Sequence, residues 1–524
     1  MNTTSSLIVD STLLTDVAHR WPVAMTTLLA CVFAFILQMA LKSDPLANIP
    51  IVGAEYGGQE KRRKKFMCGE AMNLYLDGYK KFKEQAFRIT TSMKLTNIAV
   101  APKFMNELKK LPDDVLSVNK AIEESMQSKY TGVLTDADLL IHTVKAALTP
   151  ALTRINPIIF EEVVNAMRIE LPQSGEWTEV NIVYKLMRIV AMVSGRIFIG
   201  PELCRNEGYI DVAVNYTVDL MIAIQAIANI QPYLRPFLAA SRPEVKKVQR
   251  RVAEADMFLR PVVKERRKAA EVPNYQKPDD MLQWMMESQK NFGQKGDREL
   301  ARYELALSVA AIHTTTVTIT NALYTLAAMP EFFTVLRQDV QQALAETSGV
   351  FTNSAMQNMK KVDSFLKECM RCHALTPASF QRKVLKSFTL SNGQVIPAGS
   401  VIEVPSIGIY TDEEFFPDAD KFDPLRFYKI RQEKKEQETG SKQAEVAANA
   451  QFVSVGQSSL TFGYGRHACP GRFFAVNEIK MIMATFLLNY DLMNVAGSRE
   501  RYPNVVSGPM NFPDPNKTIL LRKM

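Results

Sequence analysis

The sequence predicts a mainly α-helical protein with a small β-rich region, preceded by a single N-terminal transmembrane helix. Three observations support this fold class. Residues 21–41 form an uncharged apolar run. Residues 87–101 mix β-branched residues with turn residues, which is typical of one or two short strands. Most of residues 102–373 has the apolar spacing of helices.

The uncharged run 21–41 is WPVAMTTLLACVFAFILQMAL. At about 1.5 Å per residue a helix of this length spans about 30 Å, the thickness of a bilayer's hydrocarbon core. A cleaved signal peptide fits poorly, because the residues before the run hold Asp10 and Asp16 against one arginine. Basic residues cluster after the run at 61–65, so the positive-inside rule predicts a lumenal segment 1–20 and a cytosolic body.

The rest of the chain is expected to form one domain behind a linker. Residues 42–60 hold two prolines and three glycines, which predicts a tether. No further Pro/Gly/Ser-rich linker divides residues 61–524, so we expect one cytosolic catalytic domain there. The polar residues 431–460 are expected to form a surface insertion.

Composition and charge narrow the class of protein. The chain of 524 residues is 47% hydrophobic and 23% charged, which excludes disorder on the scale of the whole chain. Its six cysteines follow no framework spacing, which indicates a reducing compartment. The net charge of +8 favours contact with anionic lipid or an acidic protein. It does not favour nucleic acid, because no basic stretch is interleaved with aromatic residues. The basic cluster 61–65 fits either a solvated surface or a contact with lipid headgroups.

A long helix is predicted from Asp297 to Met329, with Asp297 as its cap. Its middle is unusually polar, because residues 310–316 read AAIHTTT. Threonines in a helix commonly bond back to carbonyls one turn earlier, and a histidine there can simply be part of the core. The alternative is a functional site on the helix.

Two further segments contain residues of possible function. Glu368 and Arg371 are three residues apart and so share one helix face, which by itself suits an ordinary exposed ion pair. Residues 461–475, TFGYGRHACPGRFFA, surround Cys469 with three glycines just before a predicted helix. Glycines suit sharp turns and close approach of a ligand, and a helix N-terminus favours a thiolate. The segment predicts a loop that holds a large group against the Cys469 sulfur.

These segments together resemble the cytochrome P450 family in their order along the chain. The family's haem loop, Phe-x-x-Gly-x-Arg-x-Cys-x-Gly, is matched at Phe462, Gly465, Cys469 and Gly471. His467 stands at the position of the motif's arginine, and Arg466 precedes it.

The distal helix of the family, with the pattern (Ala/Gly)-Gly-x-(Asp/Glu)-Thr, is matched from Ala310 to Thr314. Ala311 replaces the second glycine and His313 replaces the acid. The family's Glu-x-x-Arg pair is Glu368 and Arg371. Residues 422–427 resemble its Pro-x-Arg-Phe element, so Arg426 is implied to complete a Glu-Arg-Arg triad.

The resemblance implies a cytochrome P450 fold, haem b as cofactor and Cys469 as the axial iron ligand. The implied cofactor-binding residues are Cys469, Phe462, Gly465, Arg466, His467, Gly471, Lys145, Ala310 and Ala311. Lys145 falls where the family often carries an arginine that binds a haem propionate. Thr314 and His313 are implied to deliver protons during catalysis.

By resemblance the protein is a monooxygenase in the endoplasmic reticulum membrane, most like fungal P450s of terpenoid and related secondary metabolism. NADPH and flavins are expected to act only through a separate NADPH–cytochrome P450 reductase, and cytochrome b5 is a second implied partner. The regions in the family's substrate positions are 120–135, the first half of the distal helix, 376–380 and 505–510. Taken together they are mostly apolar, which suits a hydrophobic small molecule. The alternatives are a haem-thiolate isomerase or dehydratase that needs no reductase, and a non-catalytic membrane haem protein.

Overall fold

The structure is a computed structural model that describes residues 21–23, 25–34, 46–437 and 440–524. It divides into two units, residues 1–50 and 51–524. The predicted lumenal segment 1–20, the last third of the predicted membrane span and the first residues of the linker lie outside the described residues.

Helices dominate the larger unit, as predicted. Its α-helices are α1 (Gln59–Lys65), α2 (Ala71–Lys81), α3 (Met105–Leu108), α4 (Val118–Ser125), α5 (Ser128–Thr131), α6 (Asp138–Thr143), α7 (Thr149–Glu170), α8 (Ile182–Phe198), α9 (Glu207–Asn229), α10 (Arg235–Leu238), α11 (Pro243–Ala269), α12 (Met281–Ser288), α13 (Asp297–Ala328), α14 (Glu331–Ala345), α15 (Asn353–Asn358), α16 (Lys360–Cys372), α17 (Ser406–Tyr410), α18 (Arg426–Gln437), α19 (Gly440–Asn449) and α20 (Arg472–Asn489).

The strands form small sheets, which confirms a minor β-rich region. They are β1 (Phe87–Thr90), β2 (Thr96–Ala99), β3 (Leu116–Ser117), β4 (Thr178–Val180), β5 (Ser379–Val384), β6 (Phe388–Thr389), β7 (Val395–Ile396), β8 (Val401–Val404), β9 (Tyr490–Asn494), β10 (Asn504–Ser507), β11 (Met510–Pro513) and β12 (Ile519–Lys523). A five-stranded sheet has the order β1-β2-β8-β5-β3, and a three-stranded sheet has the order β4-β12-β9. The pairs β6-β7 and β10-β11 are separate hairpins. β3 and β4 interrupt the stretch that was predicted to be almost wholly helical, because strands of two or three residues leave no periodicity to detect.

The core lies where the long helices α7, α8, α13 and α20 pack together. Their inward side chains are fully buried, among them Ile155, Ile189, Ile319 and Leu487. Each such aliphatic side chain contributes about 1.5–3 kcal/mol when it leaves water. The helices that will carry the candidate site are therefore held rigidly by apolar packing.

An apolar helix is present near the N-terminus, where the membrane span was predicted. It runs from Trp21 to Ala34, and its described side chains are exposed, including Trp21, Leu29 and Phe33. This agrees with membrane anchoring. α9 is also long and apolar enough to cross a bilayer, but half of it is buried and it packs against α11 and α13. We assign α9 to the core of the larger unit.

The basic cluster 61–65 is partly used inside the protein. It lies on α1, where the Arg63 guanidinium is buried and its Nε donates to the Ser92 carbonyl at 2.9 Å. The Arg62 Nε donates to the Thr90 hydroxyl at 3.1 Å. These two arginines hold α1 to the end of β1, so only the lysines of the cluster are left for a surface role.

The start of α13 differs from its prediction. The residue that caps the helix is Gly296, with no side-chain cap, and Asp297 is the first helical residue. Asp297 instead pairs with Arg267, whose Nε lies 2.7 Å from Oδ1. A carboxylate in the first turn still stabilises the helix, because it faces the positive end of the helix dipole.

The predicted surface insertion at 431–460 is helical and ends inside the core. α18 and α19 account for most of it, and Phe452 just beyond them is buried. The Lys367 ammonium on α16 donates to the carbonyls of Asn449 at 2.6 Å and Gln451 at 2.9 Å. Burial lowers the pKa of Lys367 to about 7. A composition of Lys, Glu, Gln and Ala suits helices, and these two helices make up most of the predicted surface insertion.

Glu478 on α20 is a buried acid with an incomplete set of hydrogen bonds. Its Oε1 accepts from the Ser194 hydroxyl at 2.8 Å, and Oε2 has no partner in the described part of the chain. Burial raises the pKa of Glu478 from 4.5 to about 8, although the Ser194 bond opposes the rise. An acid whose pKa is higher in the folded state than in the unfolded state contributes stability that is fully present at a pH below its unfolded-state pKa. That contribution is lost as the pH rises through its folded-state pKa.

Glu478→Gln is therefore expected to gain thermal stability relative to the wild type as pH rises from 4.5 to about 8. The amide stays neutral, whereas the acid must either keep its proton or become a buried anion. Melting temperatures measured across this range test the expectation. Glu500→Gln, at an exposed position, is the control and should show no such trend. A constant difference between Glu478→Gln and wild type would contradict it.

Candidate active site

The segment 460–471, here called the cysteine loop, is a tight turn that needs its glycines. Gly463 and Gly465 have φ angles of 76° and 71°, a region that side chains strongly disfavour. Within the loop the Cys469 N–H donates to the Phe462 carbonyl at 2.8 Å, and the Gly463 N–H donates to the Leu460 carbonyl at 2.9 Å. The loop therefore fixes the position of Cys469 through its own backbone.

The Cys469 side chain is accessible, yet its sulfur is closely surrounded by protein atoms. Burial raises the pKa of the Cys469 thiol, while backbone N–H groups of Gly471 and Arg472 and the Arg472 guanidinium oppose that rise. The backbone donors at the helix start favour the thiolate, as expected, but desolvation outweighs them. A bound metal cation overcomes this raised pKa, since a metal-coordinated thiol loses its proton.

Two other predicted loop residues have simpler surroundings. The Phe462 ring is half-buried and lies 5.7 Å from the ring of Phe452. Gly471 begins α20 with φ −84°, an ordinary value, and a Cβ built there would meet nothing within 4 Å. Gly471 is not required by backbone strain, and it leaves open space beside the cysteine.

The distal helix α13 has an accessible face in its otherwise buried middle. Ala310 and Thr314, one turn apart, are exposed, and Ala311 is half-buried, whereas Thr315 and Thr316 are buried. Small side chains therefore line an open space beside α13. α13 packs against α20, the helix that follows the cysteine loop.

The Thr314 hydroxyl has one defined role. It donates to the Ala310 carbonyl at 2.7 Å, which uses its only proton. Its oxygen remains free to accept a hydrogen bond on the accessible side. Thr314 can therefore hold a water molecule that donates to it.

The His313 ring is hydrogen-bonded to the neighbouring helix α9. Its Nε2 lies 2.8 Å from the Val214 carbonyl on α9, which fixes the proton on Nε2. Burial lowers the pKa of His313, and the bond to Val214 opposes the shift. The ring is thus a neutral link between α9 and α13. Its predicted role in proton delivery stays a prediction.

The Glu-Arg-Arg triad assembles in the interior. Glu368 is 0% exposed. Arg371 donates to both carboxylate oxygens of Glu368, at 2.9 and 2.8 Å. The Arg426 Nε donates to Oε1 of the same carboxylate at 3.0 Å. The alternative of an ordinary surface ion pair for Glu368 and Arg371 is excluded by this burial.

Arg466 and His467 share one acidic partner that the sequence did not suggest. The Arg466 Nη2 and the His467 Nε2 lie 2.7 and 2.8 Å from Oδ1 of Asp113. Burial raises the pKa of Asp113, but hydrogen bonds from Arg466 and His467 bring it below its usual value. The two basic side chains thereby join the cysteine loop to the segment before β3. Lys145, the other predicted propionate contact, is exposed, with no hydrogen bond or ion pair to the described part of this loop.

Arg382 on β5 is a candidate site residue that sequence reasoning missed. It is 7% exposed and forms no salt bridge within the described residues. Burial and the nearby Arg466 lower its pKa to about 10, and Asp113 opposes the shift. The available sequence signal was a basic residue at an inward position of an alternating strand, between Phe380 and Val384. A buried cation without a carboxylate partner is a place for an anion.

The residues present fit a haem. Cys469 supplies a soft sulfur ligand, which suits iron. Arg382 is a buried cation near Arg466, so an anionic group there would find charge partners. The accessible face at Ala310 and Thr314 leaves room beside α13.

Comparison with known proteins gives one consistent answer. The family model for cytochrome P450 matches residues 61–514. The cytochrome P450 monooxygenase ATR3 of Stachybotrys chlorohalonatus is 40% identical over 427 residues, 81% of this chain and 88% of that protein. The cytochrome P450 monooxygenase AN1598 of Emericella nidulans is 34% identical over 498 residues, 93% of this chain and 90% of that protein. The cytochrome P450 monooxygenase olcJ of Penicillium canescens is 31% identical over 516 residues, 96% of this chain and 94% of that protein.

Glu368→Ala is expected to prevent recovery of folded, haem-loaded protein. Removing the carboxylate leaves two buried guanidiniums without a counterion, a loss of about 3–5 kcal/mol. Haem content per mole of soluble protein is the measurement. Glu287→Ala is the matched control, because it breaks an exposed 2.9 Å pair with Lys277 and should leave haem content unchanged. Normal haem content in Glu368→Ala would refute a structural role for the triad.

Proposed function

The chain belongs to the cytochrome P450 family, and on that basis we propose that it oxidises a hydrophobic small molecule of terpenoid type in fungal secondary metabolism. As a family member it is a haem-dependent monooxygenase that receives electrons from a separate reductase. The reaction inserts one oxygen atom of O2 into a C–H bond, and two electrons and two protons reduce the other atom to water. Haem supplies the oxygen chemistry when it is bound.

The observation that carries the proposal is the geometry of Cys469. The cysteine loop holds the thiol by backbone bonds and directs the N–H groups of Gly471 and Arg472 at its sulfur. Such donors stabilise a thiolate without adding a competing ligand. The loop therefore prepares one sulfur to bind a metal on its accessible side.

Thr314 supports the reaction by holding a proton source. Because its hydroxyl donates to Ala310, a water on the accessible side must donate to Thr314, and so its second proton points outward. Proton supply at the reacting oxygen is what separates product formation from loss of hydrogen peroxide. Ala310 and Ala311 keep the space around this water open.

The substrate class is inferred from the composition of three sequence regions, and the location from the N-terminal apolar helix. Among the predicted substrate regions, 376–380 and 505–510 are mostly apolar, whereas 120–135 mixes apolar with polar and charged residues. The apolar residues of the first two regions suit a terpenoid-sized ligand. The apolar helix Trp21–Ala34 supports attachment to the endoplasmic reticulum membrane with the body in the cytosol. NADPH–cytochrome P450 reductase, with cytochrome b5, is the proposed source of electrons there.

Cys469→Ala should abolish the strongly red-shifted Soret band of the reduced carbon monoxide complex. That band requires a thiolate ligand, which Cys469 would supply to the iron and alanine cannot. The absorption difference spectrum of the purified protein is the measurement. Cys68→Ala, which removes another exposed thiol, should keep the band. Survival of the band in Cys469→Ala would show that the ligand is misassigned.

Thr314→Ala is expected to retain the haem spectrum but to divert NADPH from product to hydrogen peroxide. The water molecule on the accessible side would lose the Thr314 hydroxyl oxygen that accepts its hydrogen bond. Product formed per NADPH, measured with reductase and a substrate identified by feeding terpenoid intermediates, tests this. Thr318→Ala removes a similar back-bond, 2.9 Å to the Thr314 carbonyl, at a buried position and should keep coupling normal. Equal coupling in both variants would remove proton delivery from Thr314.

A further inference from the structure

Phe380 has an unusual backbone conformation for a bulky residue. Its φ is 57°, in the left-handed region, although its side chain is buried. It lies in β5 at a shift of register between Ser379 and Arg382. This region is unfavourable for a residue with a side chain, so the surrounding structure must hold Phe380 there.

The Phe380 ring lies in a row of four side chains, here called the stack, in which two aromatic rings lie between two cations. The Arg382 guanidinium is 4.1 Å from the Phe380 ring centroid, and the Tyr464 ring is 6.4 Å from it on the cysteine loop. The Lys109 ammonium lies 5.2 Å from the Tyr464 ring and also donates to its hydroxyl at 3.1 Å. The stack joins β5, the cysteine loop and the segment after α3.

Arg382 depends on this stack for its position. Its hydrogen bonding within the described residues is limited to one bond, from Nη1 to the Gln381 carbonyl at 2.8 Å. A desolvated guanidinium gains substantially from the face of an aromatic ring. The strand itself is held to the cysteine loop, because the Ser379 hydroxyl donates to the Leu460 carbonyl at 3.1 Å.

We propose that Phe380 is a positioning residue whose ring holds the Arg382 guanidinium beside the cysteine loop, where it binds the carboxylates of the cofactor. The left-handed backbone is retained because it places the ring between Arg382 and Tyr464. This inference rests on the proposed haem site. It assigns to Phe380 a role in keeping the cofactor bound, which acts through Arg382 rather than by contact with the reacting atoms.

The test is the rate at which haem leaves the oxidised full-length protein for an excess of apomyoglobin. Phe380→Leu keeps an apolar side chain but removes the ring face, and we expect haem loss to be about fivefold faster. Phe380→Met is a second aliphatic variant with the same expected result. Phe380→Tyr keeps the ring and should stay near the wild-type rate.

Two comparisons make the test specific. Phe333→Leu is the matched control, because it removes another buried ring under an arginine, Arg337 at 4.6 Å, on α14, and should leave haem loss unchanged. In an Arg382→Gln background, Phe380→Leu should add little, because the cation that the ring supports is gone.

An unchanged haem-loss rate in Phe380→Leu and Phe380→Met, or an equal increment with and without Arg382, would overturn the inference. Either result is separable from failure of the proposed function, because the red-shifted band and its dependence on Cys469 would still report the haem site itself.

Discussion

The buried carboxylate of Glu368 is the interaction on which the cysteine loop depends. It accepts from Arg371 and Arg426, and also from the Asp423 N–H at 3.0 Å. Arg371 in turn donates to the carbonyls of Tyr410 at 2.6 Å and Ala419 at 2.7 Å. One carboxylate thereby orders a stretch of irregular chain that has no sheet or long helix to support it.

This ordered stretch also contacts the cysteine loop. The Tyr410 hydroxyl accepts from the Leu460 N–H at 3.0 Å, at the first residue of the cysteine loop. Two buried cations against one anion are a weak source of stability, because desolvation offsets most of their attraction. Carbonyl oxygens complete the hydrogen bonding of both guanidiniums, so the network selects one arrangement of the chain.

Local pattern was enough to predict the helical fold, the two strands within residues 87–101, the turn around Cys469 and the segment that carries Thr314. Each of these depends on glycine placement, helical spacing or a short motif within about 20 residues. The features that pattern did not reveal join distant parts of the chain. The partner of His313 is Val214, that of Arg466 is Asp113, and that of Lys367 is the carbonyl of Asn449. No local periodicity records such pairs, and burial then changes the chemistry of each group.

The contacts of Asp113 with the cysteine loop set an order for folding. Asp113 and Arg466 are 353 residues apart, and Asn106 meets Tyr464 across 358. The Glu368–Arg371 pair, by contrast, forms within a single helical turn. Contacts of such long sequence separation form late, because closing a long loop costs chain entropy that only later packing offsets. The triad can order the Leu460 side of the cysteine loop first. The Arg466 side is completed when the segment around Asp113 packs against it. By sequence separation, we expect the side of the cysteine loop that the triad holds to form before the side that Asp113 completes.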